Sequence, residues 1–199
     1  LASFGLVNKM KSINENGVKI CKDVAKGSSV LIAGVVGPLG VRIEPWGPTS
    51  LDDAKQFFKE QIQILFDQGV DLFVLESFGD LYEIQQAIRA VKEVCSLPIV
   101  ALMEVDEEGR SLYGTEVSWC VQKCDEWGAH VVGVTGGNGP SPLLDLIPKL
   151  KLTTQKPLAL YPNAGQPRLV DGRYIYMASP EYMGEFARQA LLKGVHVIG

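Results

Sequence analysis

The sequence lacks the features that mark membrane, secreted and nucleic-acid-binding proteins. No apolar run approaches the ~20 residues that a helix needs to span a bilayer, and the N-terminus lacks the basic-then-apolar layout of a secretory signal. Lys and Arg are not clustered, and the formal net charge is −4, which argues against nucleic acid or an anionic membrane as a partner. We therefore expect a cytoplasmic protein that binds a small molecule.

Cysteine and histidine are also scarce. The four cysteines are too few and too irregularly spaced for a disulfide framework, so reduced thiols are expected at Cys21, Cys95, Cys120 and Cys124. Cys120 and Cys124 are four residues apart on a predicted helix, with His130 beyond them, but buried packing is favoured there over a metal site. His196 lies within the last predicted strand, and we expect it in the core or the barrel wall.

The apolar residues alternate between two kinds of segment. Short β-branched runs predict strands at 29–37, 70–77, 97–105, 129–135, 156–162 and 195–199. Segments with helical apolar spacing predict helices at 8–26, 50–68, 80–95, 114–127, 141–151 and 180–193. This order indicates a parallel sheet with crossover helices.

Two α/β folds fit that order, an open doubly wound sheet and a closed (β/α)₈ TIM barrel. No G-x-G-x-x-G follows the first strand, so the dinucleotide-binding open sheet is disfavoured and the barrel is predicted. A typical barrel has ~250 residues. We therefore expect residues 1–199 to be one barrel domain that is incomplete at both ends, with a strand stub at "LASFG".

Chemistry in such folds collects at the carboxyl ends of the strands. Glu76 ends the second predicted strand, where a carboxylate could bind a ligand's ammonium group or act as an acid or base; a structural ion pair is an equally good interpretation. Glu104 has the same position on the next strand but leads into the charged loop "DEEGR", which favours a solvated acid. Tyr161 ends a later strand, and the turns "GPLG", "TGGN" and "NAGQP" follow other strand ends.

Six ordered segments resemble the homocysteine S-methyltransferase domain family, from its second strand to its eighth. They are "SVLIAGVVGPLGVRIEPWGPTSLDDA", "FVLESFGDLYEIQQAIRAVKE", "PIVALMEVDEEGRSLYGT", "GAHVVGVTGGNGP", "LALYPNAGQP" and "SPEYMGEFARQALLKGVHVIG". "YPNAG" is more similar to the cobalamin- and folate-linked branch, which includes the methionine synthase N-terminal domain and bifunctional methyltransferase/methylenetetrahydrofolate reductases, than to the betaine-using branch.

The resemblance implies a chemistry. Members of the family hold zinc with three cysteines, and the zinc binds homocysteine as a thiolate, which accepts a methyl group and becomes methionine. The implied donors are methylcobalamin or methyltetrahydrofolate. By position Glu76 matches the family's catalytic-site acid, which contacts the substrate's amino group. The resemblance also implies a set of substrate-binding residues, namely Gly37, Pro38, Glu76, Ser77, Thr135 and Asn163.

The chain departs from the family pattern in the metal site. Gly136 occupies the position of the first zinc cysteine, Thr135 replaces the preceding Asn, and Glu104 stands where a small hydroxyl residue is usual. The other two zinc cysteines are expected after Gly199. Zinc needs three or four converging ligands, so we predict no metal ligand within this chain.

Three functions follow from these observations. The first is methyl transfer to a thiol, with an altered or incomplete zinc site. The alternative is a catalytically degenerate barrel that serves as a scaffold or docking domain for a methylenetetrahydrofolate reductase or a corrinoid partner. An unrelated barrel lyase or aldolase is disfavoured, because no lysine ends a predicted strand to form a Schiff base.

Overall fold

The computed structural model describes residues 5–137 and 139–199. A 3₁₀ turn at Val7–Lys9 precedes six helices: α1 Met10–Ala25, α2 Leu51–Asp67, α3 Leu81–Val94, α4 Val117–Glu126, α5 Pro140–Thr153 and α6 Pro180–Leu192. The strands are β1 Ala33–Val36, β2 Leu72–Phe78, β3 Ile99–Val105, β4 Val131–Gly136, β5 Leu158–Pro162, β6 Arg168–Val170, β7 Arg173–Ile175 and β8 Val197–Ile198. Each predicted helix and strand has its counterpart here.

Six of these strands form one parallel sheet in the order β1-β2-β3-β4-β5-β8. The fold is therefore α/β, with a helix between most neighbouring strands, as in a barrel wall. Within the described ranges β1 and β8 are the sheet's two edges, so the predicted closed barrel is observed only in part. The predicted stub "LASFG" falls mainly on residues 1–4, which lie outside the described residues, as does Asn138.

Helix boundaries follow local chemistry. The side chains of Ser50, Asp80 and Ser179 cap α2, α3 and α6, each accepting a hydrogen bond from a backbone N–H of the first turn. Glycines in the left-handed region end the helices before β2, β4 and β8, at Gly69, Gly128 and Gly194. None of the helices in the described ranges has the length and hydropathy needed to cross a membrane.

The sheet has two different faces. The face toward the helices contributes alternate strand residues, such as Phe73, Leu75 and Met103, to the large core that also contains Phe58 and Ile88 of the helices. The opposite face, called the inner face here, carries a smaller cluster that contains only strand residues, namely Val74, Val100, Leu102 and Ala159. Because side chains alternate along a strand, the inner face also receives the residues at 76, 104, 135 and 161.

The hairpin of β6 and β7 was not among the predicted elements. Its two strands pair antiparallel around Asp171 and Gly172, which both have positive φ angles of 49° and 76°. An Asp-Gly pair in this conformation is typical of a two-residue hairpin turn, so the signal was present in the sequence. All six residues of its strands are exposed.

Candidate functional site

A cavity of about 1120 Å³ opens where the strands end. Its wall comes from the segments that follow β1 to β5, which a parallel sheet brings to one edge. The wall carries six carboxylates and two guanidinium groups, contributed by Asp80, Glu83, Glu104, Asp106, Glu107, Glu108, Arg42 and Arg110. We call this region the mouth.

The loops around the mouth are tied to one another. Trp46 from the loop after β1 stacks on Tyr113 from the loop after β3, with ring centroids 4.6 Å apart and planes inclined by 15°. The N–H of Leu112 donates to the carbonyl of Gly79 at 3.1 Å, which joins the loops after β2 and β3. These contacts fix the rim of the mouth, although the two aromatic residues gave no sequence signal of pairing because they are distant along the chain.

Two buried carboxylates stand at the start of α3. The pKa of Glu83 is raised, mainly because the carboxyl is buried, and the nearby charge of Asp80 raises it further. The hydrogen bond that Glu83 accepts from the N–H of Leu39, 2.7 Å long, acts in the opposite direction and lowers the pKa. Burial likewise raises the pKa of Asp80, against hydrogen bonds from the N–H groups of Tyr82 and Glu83 that lower it. Glu83 thereby anchors the "GPLG" loop, a role that the sequence did not indicate.

The substitution Glu83→Gln is expected to stabilise the fold at neutral pH. The pKa of Glu83 is raised in the folded state. Glu83 therefore makes its full contribution to stability below the ordinary Glu pKa of about 4.3, and this contribution is lost as pH rises through the folded-state pKa. Glutamine stays neutral and can still accept from Leu39, so the advantage over wild type should vanish near pH 4 and grow above it. Urea unfolding from pH 4 to 8 measures this.

The exposed rim acid Glu108 provides the matched control for that experiment. Glu108→Gln removes a carboxylate from the same mouth without touching the Leu39 contact, so it shows how much of any change in the free energy of unfolding comes from the lost mouth charge alone. A Glu83→Gln advantage that is equally large at pH 4 and pH 8 would contradict the assigned cause.

Glu76 and Tyr161 lie on the inner face near the mouth. Burial raises the pKa of the Tyr161 hydroxyl, and the negative charge of Glu76 raises it further, although β3 and β4 separate their strands. The sheet is curled, because Cα atoms of strands two apart in the sheet order, β2 with β4 and β3 with β5, come within 8 Å of each other. Thr135, 5% exposed, lies between Glu76 and Tyr161 in the strand order and donates its hydroxyl to the carbonyl of Tyr161 at 2.9 Å.

The remaining predicted substrate-binding residues fall around the same edge. Gly37 and Pro38 follow β1 and are exposed, and Pro38 lines the mouth. Ser77 also lines it and has a φ of 65°, which coincides with a register irregularity between Leu75 and Phe78. Such a conformation is uncommon in residues other than glycine, and it bends the end of the strand so that the side chains there point in a different direction.

Asn163 joins two of the loops at the mouth. Its backbone N–H donates to the carbonyl of Gly136 at 3.3 Å, and its side-chain amide donates to the carbonyl of Gly137 at 3.4 Å. It therefore holds the turn after β4 against the segment after β5. Glu104 is exposed at the end of β3, as predicted, and it lines the mouth together with the charged loop that follows it.

The cysteines and histidines lie elsewhere. Cys120 and Cys124 are buried in the core, as predicted; burial raises the pKa of Cys120 to about 12 and also raises that of Cys124, so both favour the thiol form. His130 accepts from the N–H of Ile99, at the amino end of β3, which is the far end of the sheet. His196 precedes β8 and is exposed, so it is not in the core. Its backbone N–H donates to the carbonyl of Leu158 and its Nδ1 accepts from the N–H of Leu158, so it lies in the wall, the other expected position.

The residues at the mouth do not fit a zinc ion. Gly136 supplies no ligand atom, and the structure describes no group of three or more His, Cys, Asp or Glu side chains arranged to hold a metal. The two core thiols are directed into the helix layer and are held protonated, whereas zinc binds thiolate.

Comparison with known proteins identifies the relationship. A sequence model described as "Homocysteine S-methyltransferase" matches residues 1–199. The chain belongs to the homocysteine S-methyltransferase family. The match covers the strands, the mouth and the turn that carries Gly136.

Individual relatives of this family member come from different branches. Methionine synthase of Mycobacterium leprae is 21% identical over 93% of this chain and 16% of its own length. Betaine–homocysteine S-methyltransferase 1 of Mus musculus is 26% identical over 95% of this chain and 49% of its own length. The chain thus spans half or less of these curated relatives.

A solved structure resembles the fold. The apo form of the homocysteine methyltransferase MmuM from Escherichia coli superposes with a TM-score of 0.75 at 19% identity, covering 96% of this chain and 69% of that protein. This likeness supports the assignment of the six parallel strands to part of a barrel wall.

Proposed function

We propose that this chain is part of a (β/α)₈ barrel domain that transfers a methyl group to the thiol of homocysteine. The observation that carries the proposal is the family match over the whole chain, together with a carboxylate, Glu76, on the inner face beside the mouth. In this proposal Glu76 receives the substrate's ammonium group. The surface around it is formed by the other proposed substrate-binding residues, namely Gly37, Pro38, Ser77, Thr135 and Asn163.

The proposed reaction forms one bond and breaks one. The homocysteine thiol first loses its proton to solvent. The sulfur then attacks the methyl carbon, and the new S–C bond gives the thioether methionine. The bond from the methyl carbon to the donor breaks, and its electron pair leaves with the donor. Orienting the amino acid by its ammonium group places its sulfur for this attack, and holding reacting groups in position is a large part of enzymatic rate enhancement.

The donor and partners are proposed from the chain's own signals. "YPNAG" is more similar to the cobalamin- and folate-linked branch, and one of the relatives is a methionine synthase. We therefore propose methylcobalamin or methyltetrahydrofolate as donor, with a corrinoid or reductase domain as the partner that delivers it, in the cytoplasm. Among the described residues β1 and β8 are the edge strands of the sheet, and in this proposal the remaining strands of the barrel pair with them.

A second candidate is a scaffold role. The poor fit of the mouth to zinc favours it, because a thiol with an ordinary pKa of about 8.5 is mostly protonated at neutral pH without such help. In this case the barrel would keep its fold and dock a reductase or corrinoid partner without turnover.

A methyl-transfer assay with metal analysis separates the two functions. The full-length protein is purified and incubated with homocysteine and either methylcobalamin or methyltetrahydrofolate, and methionine is measured by mass spectrometry alongside the zinc bound per protein molecule. The enzyme proposal expects methionine formation that is saturable in homocysteine and above the donor-only background. If homocysteine neither binds in calorimetry nor is methylated with either donor, the enzyme proposal is wrong and the scaffold role is favoured.

A further inference from the structure

Glu104 near the end of β3 and Gly136 at the end of β4 lie close together at the mouth. Glu104 pairs with Thr135 and Val105 pairs with Gly136 in the parallel register. The N–H of Gly137 donates to the carbonyl of Val105 at 3.2 Å, which holds the turn after β4 against the end of β3. The backbone of position 136 is thus fixed beside the Glu104 side chain.

The conformation of Gly136 determines where a side chain there would point. Val132 and Val134 point into the helix layer, and an extended residue at 136 would do the same because alternate residues share a face. Gly136 instead has a φ of 94°. A Cβ atom built on it lies 3.0 Å from Cγ of Glu104 and 3.7 Å from its Oε1, and 3.3 Å from the backbone carbonyl oxygen of Val105. The turn therefore aims position 136 at the mouth, where Glu104 already lies.

We propose that Glu104 and Gly136 form a coupled pair that determines the specificity of the mouth. Because position 136 has no side chain, Glu104 fills the space over the turn and presents a carboxylate there. Residues with side chains at 136 require Glu104 to move or to be small. In this proposal the missing side chain at Gly136 and the acid at Glu104 are linked, because the first leaves the space that the second occupies.

The pair sets which ligand groups the mouth accepts at this place. A carboxylate favours an ammonium or another cationic group within about 6 Å and disfavours a second anion. The side chain of Glu104 is exposed and makes no hydrogen bond or ion pair within the part of the chain that the structure describes, so its charge is available to a ligand. This inference does not depend on methyl transfer.

A double-mutant cycle tests whether the two positions share one space. Gly136→Ala, Glu104→Ala and the double variant are unfolded in urea. We expect Gly136→Ala to lower the midpoint and Glu104→Ala to recover part of the loss, with a coupling of about tenfold in the unfolding equilibrium constant, within the range found for contacting residues. Additive effects of the two substitutions would overturn the shared-space part of the proposal.

Gly137→Ala is the matched control for backbone strain. Gly137 also has a positive φ, 72°, but a Cβ atom there lies 3.5 Å from the carbonyl oxygen of Gly139 and does not meet Glu104. Its destabilisation comes from φ alone, so Glu104→Ala should not relieve it. Equal relief at 136 and 137 would show that Glu104→Ala acts through general stability, which also overturns the proposal.

A charge-probe experiment tests whether a carboxylate is presented at this place. In a Cys21→Ser background, a thiol is introduced by Gly137→Cys, which lines the mouth beside Gly136 and whose Cβ does not meet Glu104. It is labelled with cationic or anionic methanethiosulfonate reagents, and the Cys21→Ser parent supplies the background rate. We expect the cationic reagent to be favoured, and Glu104→Gln to reduce the ratio of the two rates about tenfold by removing one nearby charge. An unchanged ratio would refute the assignment of Glu104 to this space.

Discussion

Glu76→Gln is expected to weaken homocysteine binding about 100-fold, because a charge-assisted hydrogen bond to the substrate's ammonium group is lost in a partly buried site. Glutamine preserves the shape of the side chain, and Glu76 is only half-buried at the end of β2, so the fold should be retained. Isothermal titration calorimetry of wild type and variant with homocysteine measures the change directly, without a methyl donor.

A substrate analogue makes that experiment specific. 4-Mercaptobutyrate has the thiol and the carboxylate of homocysteine but no amino group, so wild type and Glu76→Gln should bind it with similar affinity. Glu108→Gln, which removes an exposed rim acid, controls for the overall charge of the mouth. Equal losses for homocysteine and the analogue, or an equal loss in the rim variant, would refute the proposed contact with the amino group.

Gly133→Ala is expected to destabilise the protein by about 3 kcal/mol or more, which is the upper part of the range for overpacked sites. Gly133 pairs with Ala159 between β4 and β5, and a Cβ atom built on it lies 1.8 Å from the carbonyl oxygen and 2.7 Å from the carbonyl carbon of Ala159. These are backbone atoms that cannot rotate away, so the two strands must separate. Thermal unfolding should show a Tm lower by roughly 6 to 12 °C.

Gly184→Ala is the matched substitution at an unconstrained glycine. Gly184 lies within α6, and a Cβ atom there meets nothing within 4 Å. Alanine is a better helix former than glycine, so this variant should be stabilised by about 0.5 to 1 kcal/mol. A Gly133→Ala protein as stable as wild type would show that β4 and β5 tolerate a wider spacing than the structure has.

The helices and strands were accessible from the sequence because their signals are local. Ser50, Asp80 and Ser179 cap helices through contacts within three residues along the chain, and glycines such as Gly69 end helices through their own φ angle. The hairpin at Asp171 and Gly172 carried an equally local signal that the prediction overlooked. Closure into a barrel has no such signal, since it depends on which edges meet.

The candidate site was accessible in part. The rule that parallel strands end at one edge places Glu76 and the turn that begins at Asn163 in the same region from the sequence alone. Ser77, Asn163 and the Pro38 loop line the mouth at this edge. The anchoring role of Glu83 and the stack of Trp46 on Tyr113 were not accessible, because each joins residues more than 40 positions apart. Nothing in a local pattern specifies such pairs.

The sequence by itself determined the order of helices and strands, the family, and the absence of a side chain at Gly136. Only the tertiary structure decided what that absence means. It shows the φ of Gly136 directing the position toward the mouth and Glu104 lying in the space beside it. Composition and spacing specify which residues are present, whereas steric exclusion between two strand ends depends on their register and distance, which exist only once the sheet has formed.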